Sequence, residues 1–496
     1  MSRTTDRLLE TRLFGGPSPL LIDGELITTP ATFQTVDPAT EEVLGEASDA
    51  TAENMDRAIG AARRAFDESG WATDVRHRVR CLRQLGEALQ RHSDDLRELT
   101  VKEVGAPKFL TYGAQLDAPV ADLAWFAQLA EDYEWSRDLG EAAPMGMASR
   151  RRIRKEPVGV VGAITPWNFP HQINLAKLGP ALAAGNTVVL KPAPDTPWCA
   201  AILGKIIAEE TDLPPGVVNV ITSSDHALGA QLSTDPRVDL VSFTGSTATG
   251  KAVMTSAAAT LKKVFLELGG KSAFIVLDDA DLKAACSYAA LTVITHAGQG
   301  CAITTRLLVP RDSYDSAVQI TARTMSKIGA GDPQDDATIC GPVISARQRL
   351  RIESYLELAV KEGGAFACGG GRPEKDRGFW IEPTLITGLT NDARTAREEI
   401  FGPVLVILPH DGDDDAVRIA NDSPYGLSGA VHGGDLERAH AVARRLRTGT
   451  VSVNGGVWYS ADVPFGGYKQ SGIGREMGVA GFEEYLETKS IAEGVS

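Results

Sequence analysis

Apolar positions change their spacing along the chain in a way that separates helices from strands. Met55, Ala58, Ile59, Ala62 and Phe66 recur three and four residues apart, which is the spacing of one helical face. Leu82, Leu85, Ala88 and Leu89 continue it, so the N-terminal third is predicted to be mainly helical. Short apolar runs of strand length follow at residues 158–164, 187–190, 217–221 and 240–243. Between them lie helix-like stretches at 172–184, 199–210 and 227–232, each closed by Gly, Pro or Asn. The alternation restarts in the second half, with strands at 273–277 and 306–309 around a helix at 281–295, then strands at 403–408 and 449–453.

Strand, helix, strand at this spacing predicts doubly wound, mainly parallel sheets of the α/β class. A chain of 496 residues exceeds the roughly 250–300 residues at which one core stops growing, so at least two such domains are expected, with a boundary near Glu267. The hydrophobic fraction of 43% is ample for packed cores. A formal net charge of -15 argues against a phosphate-backbone partner, because nucleic-acid binding draws on basic surface. The expected partner is a small molecule. Cys81, Cys199, Cys286, Cys301, Cys340 and Cys368 are scattered with no CxxC pair, which disfavours both a zinc site and a disulfide framework. Met1 to Glu10 carries charges of both signs and no apolar core, and no stretch reaches the ~18 apolar residues of a spanning helix. A soluble cytoplasmic protein is expected, with no metal.

Two segments concentrate chemistry: Glu267-Leu268-Gly269-Gly270-Lys271-Ser272, and Gly298-Gln299-Gly300-Cys301 followed by Arg306. A free thiol, with an ordinary pKa of about 8.5, is a few per cent thiolate at neutral pH and strongly nucleophilic. Such a sulfur can attack a carbonyl carbon, and a nearby carboxylate can deprotonate the water that releases the product. Cys199, Cys286, Cys340 and Cys368 read as buried fillers. Locally, Glu267 reads equally well as a functional acid or as a structural one that caps a helix or forms an ion pair, Asn168 as a turn residue, Ser246 as an N-cap, and Lys191 and Glu399 as solvated surface. The phosphate-loop pattern fails because Phe265 stands where its first glycine belongs. GxGxxG, HExxH and GxSxG are absent as well.

The chain resembles the aldehyde dehydrogenase superfamily along nearly its whole length. The matching segments, in family order, are Thr165-Pro166-Trp167-Asn168-Phe169-Pro170, Lys191-Pro192-Ala193, Phe243-Thr244-Gly245-Ser246, ELGGKS, GQGC with Arg306, Glu399-Ile400-Phe401-Gly402-Pro403, and Pro464-Phe465-Gly466-Gly467-Tyr468-Lys469 with Ser471-Gly472. The resemblance implies oxidation of an aldehyde to a carboxylic acid with NAD(P), without CoA. It implies a Rossmann-like cofactor domain at 1–132 and 153–266, a catalytic thiol domain at 267–470, and a small oligomerisation arm at 133–152 and 471–496. A homodimer or homotetramer follows, with a tail strand at 485–491 that pairs with a neighbouring subunit.

By the same resemblance Cys301 is the nucleophile, Glu267 activates the hydrolytic water, and Asn168 stabilises the oxyanion with the Cys301 backbone N–H. Lys177 lies near the active site. Glu476 passes a proton from Glu267 towards solvent, a surface ion pair being its alternative. Ile164, Thr165, Pro166, Trp167, Gly245, Ser246, Glu267, Leu268 and Gly269 line the cofactor, Lys191 bonds the adenosine ribose, Glu399 the nicotinamide ribose, and Phe401 packs near the nicotinamide ring. Phe169, Ile173, Trp458, Tyr459 and Phe465 form the substrate pocket, and the small Ala176 widens it for bulky or aromatic aldehydes. One departure concerns the cofactor. Many NAD-preferring relatives carry a glutamate three residues after the matching lysine, where this chain has Pro194 and then Asp195. NAD is therefore the default and NADP stays open.

Overall fold

The computed structural model describes residues 6–495; the first five residues of the charged N-terminal stretch, and Ser496 at the end of the expected arm, lie outside the described residues. Four sheets organise the described residues. The largest runs Gly472–Ile473, Lys263–Glu267, Leu240–Thr244, Val160–Ile164, Thr187–Lys191, Val218–Val220, Leu20–Ile22, Glu25–Ile27. Its five central strands are parallel and its outer pairings antiparallel. Those central strands are buried along nearly their whole length, as expected where helices cover both faces. The second sheet runs Ala365–Cys368, Thr384–Thr387, Val404–His410, Thr304–Pro310, Ser272–Val276, Gly429–His432, Ser452–Val453, parallel except at its first pair.

The helical periodicity read from Met55 belongs to the helix Ala52–Glu68. Thr51 opens it with a capping box in which its hydroxyl accepts from the Asn54 amide. Met55, Ala58, Ile59 and Ala62 are buried in the core under the first sheet, each large side chain contributing ~1.5–3 kcal/mol. Phe66 is only half-buried, beneath the Arg63 guanidinium. The mainly helical N-terminal third needs correction at its start, because strands at Leu20–Ile22, Glu25–Ile27, Thr32–Val36 and Val43–Ser48 stand between a short first helix, Asp6–Phe14, and the longer helices. Asp23 and Gly24 join the first two with φ of 56° and 80°, the left-handed pair of a two-residue hairpin turn.

The third sheet joins Leu486–Gly494, Ser149–Pro157 and Ser136–Ala142, all antiparallel. The tail strand pairs with Ser149–Pro157 of its own chain along one side and forms the edge of its sheet. Within the segment 471–496, Gly472–Ile473 joins the edge of the first sheet beside Lys263–Glu267, and the helix Gly478–Glu483 packs on Pro170–Ala184. Among the described residues no helix is long and apolar enough to cross a membrane.

Candidate active site

Strand order positions the first crevice. The strand Val160–Ile164 leads to Thr187–Lys191 on one side, while Leu240–Thr244 returns on its other side, so the order reverses there and the carboxyl ends part. Ile164 is in register with Lys191 and with Phe243, which brings Thr165, Pro166, Trp167, Gly245 and Ser246 to one rim. Together they line a crevice of about 510 Å³. Ser246 caps the helix Thr247–Ala257, its hydroxyl accepting from the Thr249 amide at 3.2 Å, and both residues line the crevice. Lys191 is buried, contrary to a solvated surface position, and burial draws its pKa down to about 8 against the pull of Asp225 and Asp49.

A second cavity, about 320 Å³, is lined by Cys301, Asn168, Glu476, Phe169, Ile173, Trp458, Tyr459 and Phe465. Thr244 lines both spaces, so they meet at that residue. Most of the cavity wall is apolar, none of the lining side chains is cationic, and the Trp458 and Phe465 rings stack 5.3 Å apart. Sequence reasoning missed Gln172, Phe274, Tyr288, Thr292 and Val457 on the same wall. Tyr288 and Thr292 share one face of the helix Leu282–Ile294, a signal that means nothing until the opposite wall is known. Ala176 does not line the cavity; it packs with Ala461, Met477, Trp125 and Tyr459.

Cys301 is half-buried and unpaired, and the loop before it is strained. His296, Ala297 and Gly298 have φ of 53°, 51° and 69°, a left-handed run that costs ~1–2 kcal/mol for each non-glycine residue. Only glycine fits at 298, where an added Cβ would stand 2.0 Å from the Gly402 carbonyl oxygen. Burial lowers the His296 pKa to about 4, so the ring is neutral and its Nε2–H donates to the Asn168 carbonyl at 2.8 Å. Gln115 Nε2 donates to the same oxygen at 2.9 Å. The Asn168 side chain donates one N–H to the Gln299 carbonyl at 2.8 Å, leaving its second N–H for the cavity.

Glu267 ends the strand Lys263–Glu267 and neither caps a helix nor forms an ion pair; both its oxygens lack a hydrogen-bond partner. Gly466 makes room for it, since a Cβ there would lie 2.6 Å from Oε1. Burial, then the Glu476 carboxylate, push the Glu267 pKa well above the ordinary range, against Lys177 and Arg475. Burial and the facing Glu267, Glu399 and Glu476 carboxylates likewise push the Cys301 thiol up. Lys177 is fully buried, its Nζ 3.0 Å from Glu476 Oε1 and 2.9 Å from Ser242 Oγ, so Glu476 belongs to an interior ion pair and not to the surface. Glu399 is half-buried, accepts from the Gly270 amide at 3.0 Å, and is pushed up to about 7 by its loss of water. Phe401, with φ of 64°, sets its ring edge-on to Trp167 at 5.4 Å. Leu268 and Gly269 complete this turn, the Leu268 amide donating to the Ser471 carbonyl and Ser471 Oγ to the Gly269 carbonyl. Arg306 is taken up by structure, donating to the carbonyls of Lys271, Ile419 and Ala420 and to Asn391.

The family model described as Aldehyde dehydrogenase family matches residues 27–491. A 3-succinoylsemialdehyde-pyridine dehydrogenase of Pseudomonas sp is 43% identical over 478 residues, covering 95% of this chain and 97% of that protein. A geranial dehydrogenase of Castellaniella defragrans is 41% identical, covering 95% and 98%. Among solved structures, betaine aldehyde dehydrogenase of Staphylococcus aureus in complex with NAD+ superposes with a TM-score of 0.94 at 38% identity, over 99% of this chain and 97% of that one. An NAD+ complex of an aldehyde dehydrogenase from Bacillus cereus gives 0.94 at 36%, over 98% of each.

Proposed function

The chain belongs to the aldehyde dehydrogenase family and is an NAD-dependent enzyme that oxidises aldehydes to carboxylic acids, and we propose that it does so through a thiohemiacetal and then a thioester on Cys301, hydrolysed by water that Glu267 activates. The observation that carries this reading is the convergence of the Cys301 thiol and the Asn168 amide on one cavity wall, with the unpartnered Glu267 carboxyl near enough to act on the thiol's charge.

The crevice suits a dinucleotide: a capped helix start and a buried lysine line it, and Glu399 is held by the glycine turn that follows Glu267. We assign Ile164 to Trp167, Lys191, Gly245 and Ser246 to the adenosine and pyrophosphate side, and Glu267 to Gly269, Glu399 and Phe401 to the nicotinamide side. When bound, the nicotinamide supplies the acceptor for the hydride that turns the thiohemiacetal into a thioester. The remaining steps belong to this chain. Cys301 passes its thiol proton to the Glu267 carboxylate, from which it leaves for solvent, and the sulfur attacks the aldehyde carbon while the second Asn168 N–H and the Cys301 backbone amide stabilise the oxyanion. A carboxyl whose pKa lies well above the ordinary range is suited to take a proton near neutrality, so Glu267 removes one from water as that water adds to the thioester carbonyl. The thiolate leaves and the acid departs. Glu476, paired with Lys177, receives the proton on its way out.

Phe169, Ile173, Trp458, Tyr459 and Phe465 form a pocket for a bulky, uncharged aldehyde. Two of the similar proteins are named for such substrates, a pyridine-bearing semialdehyde and geranial. The intact general base favours water over CoA as acyl acceptor. With Pro194 at the position of the usual acid, NAD is preferred over NADP by less than ten- to a hundredfold, i.e. below ~1.4–2.8 kcal/mol. Residues 1–132 and 153–266 serve as the cofactor unit and 267–470 as the catalytic unit. The segments 133–152 and 471–496 make subunit contacts in a homodimer or homotetramer. Six unpaired thiols fit a reducing compartment such as the cytoplasm. The test is Cys301→Ser: oxidation of aldehyde should vanish while NADH still binds with a Kd within a few-fold of wild type. An active Cys301→Ser enzyme ends the covalent mechanism.

A further inference from the structure

The outer end of the dinucleotide crevice holds charges that its own elements do not balance. Lys191 lies at the carboxyl end of its strand with no hydrogen bond or ion pair to its ammonium among those described, and the carboxylates facing it are Asp225 and Asp49. Asp49 is already occupied, accepting from Ser223 Oγ, Ser224 Oγ and the Ser224 amide. Pro194 offers no side-chain polar atom. Asp195 comes next, largely withdrawn from water, with Arg347 and then His226 as its opposing charges.

Arg347 comes from a different part of the fold. It sits in the first turn of the helix Ala346–Lys361, after the second sheet has begun, yet it lines the crevice of the first. Its Nη2 is 3.5 Å from Asp195 Oδ2, a single long contact, and the side chain is 73% exposed. An exposed ion pair of this kind contributes little, so the guanidinium is free to exchange partners at small cost. A phosphate monoester carries up to two negative charges and takes the guanidinium fork through two oxygens at once, which a single carboxylate oxygen at 3.5 Å does not match.

We propose that Arg347, together with Lys191 on the same crevice, holds the 2'-phosphate of NADP(H), and that Asp195 serves the free ribose hydroxyls of NAD(H). The proposal rests on the reading of the crevice as the dinucleotide site and deepens it by assigning cofactor choice to one pair of side chains. Asp195 opposes the phosphate and Arg347 attracts it. The balance between them sets the preference, so neither cofactor is shut out.

Isothermal titration of the purified enzyme with NADH and with NADPH, at low and high salt, tests this without turnover. Arg347→Gln should raise the NADPH Kd about tenfold, the scale of one lost charge-assisted bidentate contact, and at least five times more than it raises the NADH Kd. Asp195→Asn should move the ratio the other way, tightening NADPH and weakening NADH. The salt dependence of NADPH binding should flatten in Arg347→Gln, and Arg347→Lys should recover part of the affinity. Equal loss of both cofactors in Arg347→Gln, an unchanged NADPH Kd, or a wild type that binds NADH and never NADPH would each overturn the assignment. A wild type that binds neither cofactor would instead remove the crevice reading on which it rests.

Discussion

Glu267→Gln separates the acylation and hydrolysis halves of the proposed cycle, and the structure sets what it should cost. The substitution keeps the side chain's shape, and neither carboxyl oxygen has a partner to lose, so folding should not suffer. The sign of the effect on stability follows from the raised carboxyl pKa. The folded state prefers the protonated acid, so as pH rises above the ordinary 4.5 the wild type is increasingly penalised for burying a charge. Each pKa unit of difference is worth ~1.4 kcal/mol. The amide variant escapes this penalty, and its melting temperature should match or exceed that of the wild type by a margin that grows from pH 4 towards pH 8. Catalysis should move the opposite way. Loss of a general base typically costs ~10²–10⁴ in rate, or ~2.7–5.5 kcal/mol of barrier at 1.36 kcal/mol per decade. Rapid mixing of enzyme, NAD+ and aldehyde should still give a burst of about one NADH per active site, followed by a steady state slowed by that factor. The wild type's activity should fall as pH drops through the raised Glu267 pKa, and the variant should lack that limb. A variant that turns over at the wild-type rate, or that shows no burst, would refute the base role.

Asn168→Ala should lower kcat by ~10²–10³, or ~3 kcal/mol, with little change in KM, because the lost donor acts on charge that develops only in the transition state; an unchanged kcat by steady-state assay excludes the oxyanion role. Lys177→Met leaves Glu476 buried and uncompensated, so urea unfolding should report ~3–5 kcal/mol less stability, largely restored by adding Glu476→Gln, and a loss below ~1 kcal/mol would mean the pair is solvated. Among aldehydes of similar length, kcat/KM for a bulky uncharged one should exceed that for a carboxylate-bearing one by at least about tenfold, since an apolar wall with no cation must desolvate the charge unaided. The reverse order would contradict the pocket assignment.

Much of the scaffold is legible in the sequence because the relevant signals are local. The strands at Thr187–Lys191 and Leu240–Thr244 and the helix Pro170–Ala184 lie within a few residues of their predicted spans, since apolar period and Gly or Pro punctuation are set by immediate neighbours. The N-terminal hairpin was legible too, in Leu20-Leu21-Ile22-Asp23-Gly24-Glu25-Leu26-Ile27. An Asp-Gly pair between apolar runs is a hairpin signal, shorter than the helical period that follows it. The two-residue strand Gly472–Ile473 carries no such signal; its pairing is decided by the edge of the Lys263–Glu267 strand that it meets.

The sequence by itself determined the α/β class, the order of the elements, and the residue types able to do thiol and carboxyl chemistry, because each of these is written in spacing and composition along the chain. Only the tertiary structure decided which of them share a cavity. Lys177 and Glu476 are 299 residues apart and in contact inside the protein, a pairing that nothing local to either residue signals. Arg347 crosses from one sheet's surroundings to the other sheet's crevice, and Ala176 faces a packed cluster where a cavity was expected. The physical reason is common to all three. Burial and the identity of a long-range neighbour depend on strand order and on how helices cross the sheets, and these come from minimising exposed apolar area over the whole molecule.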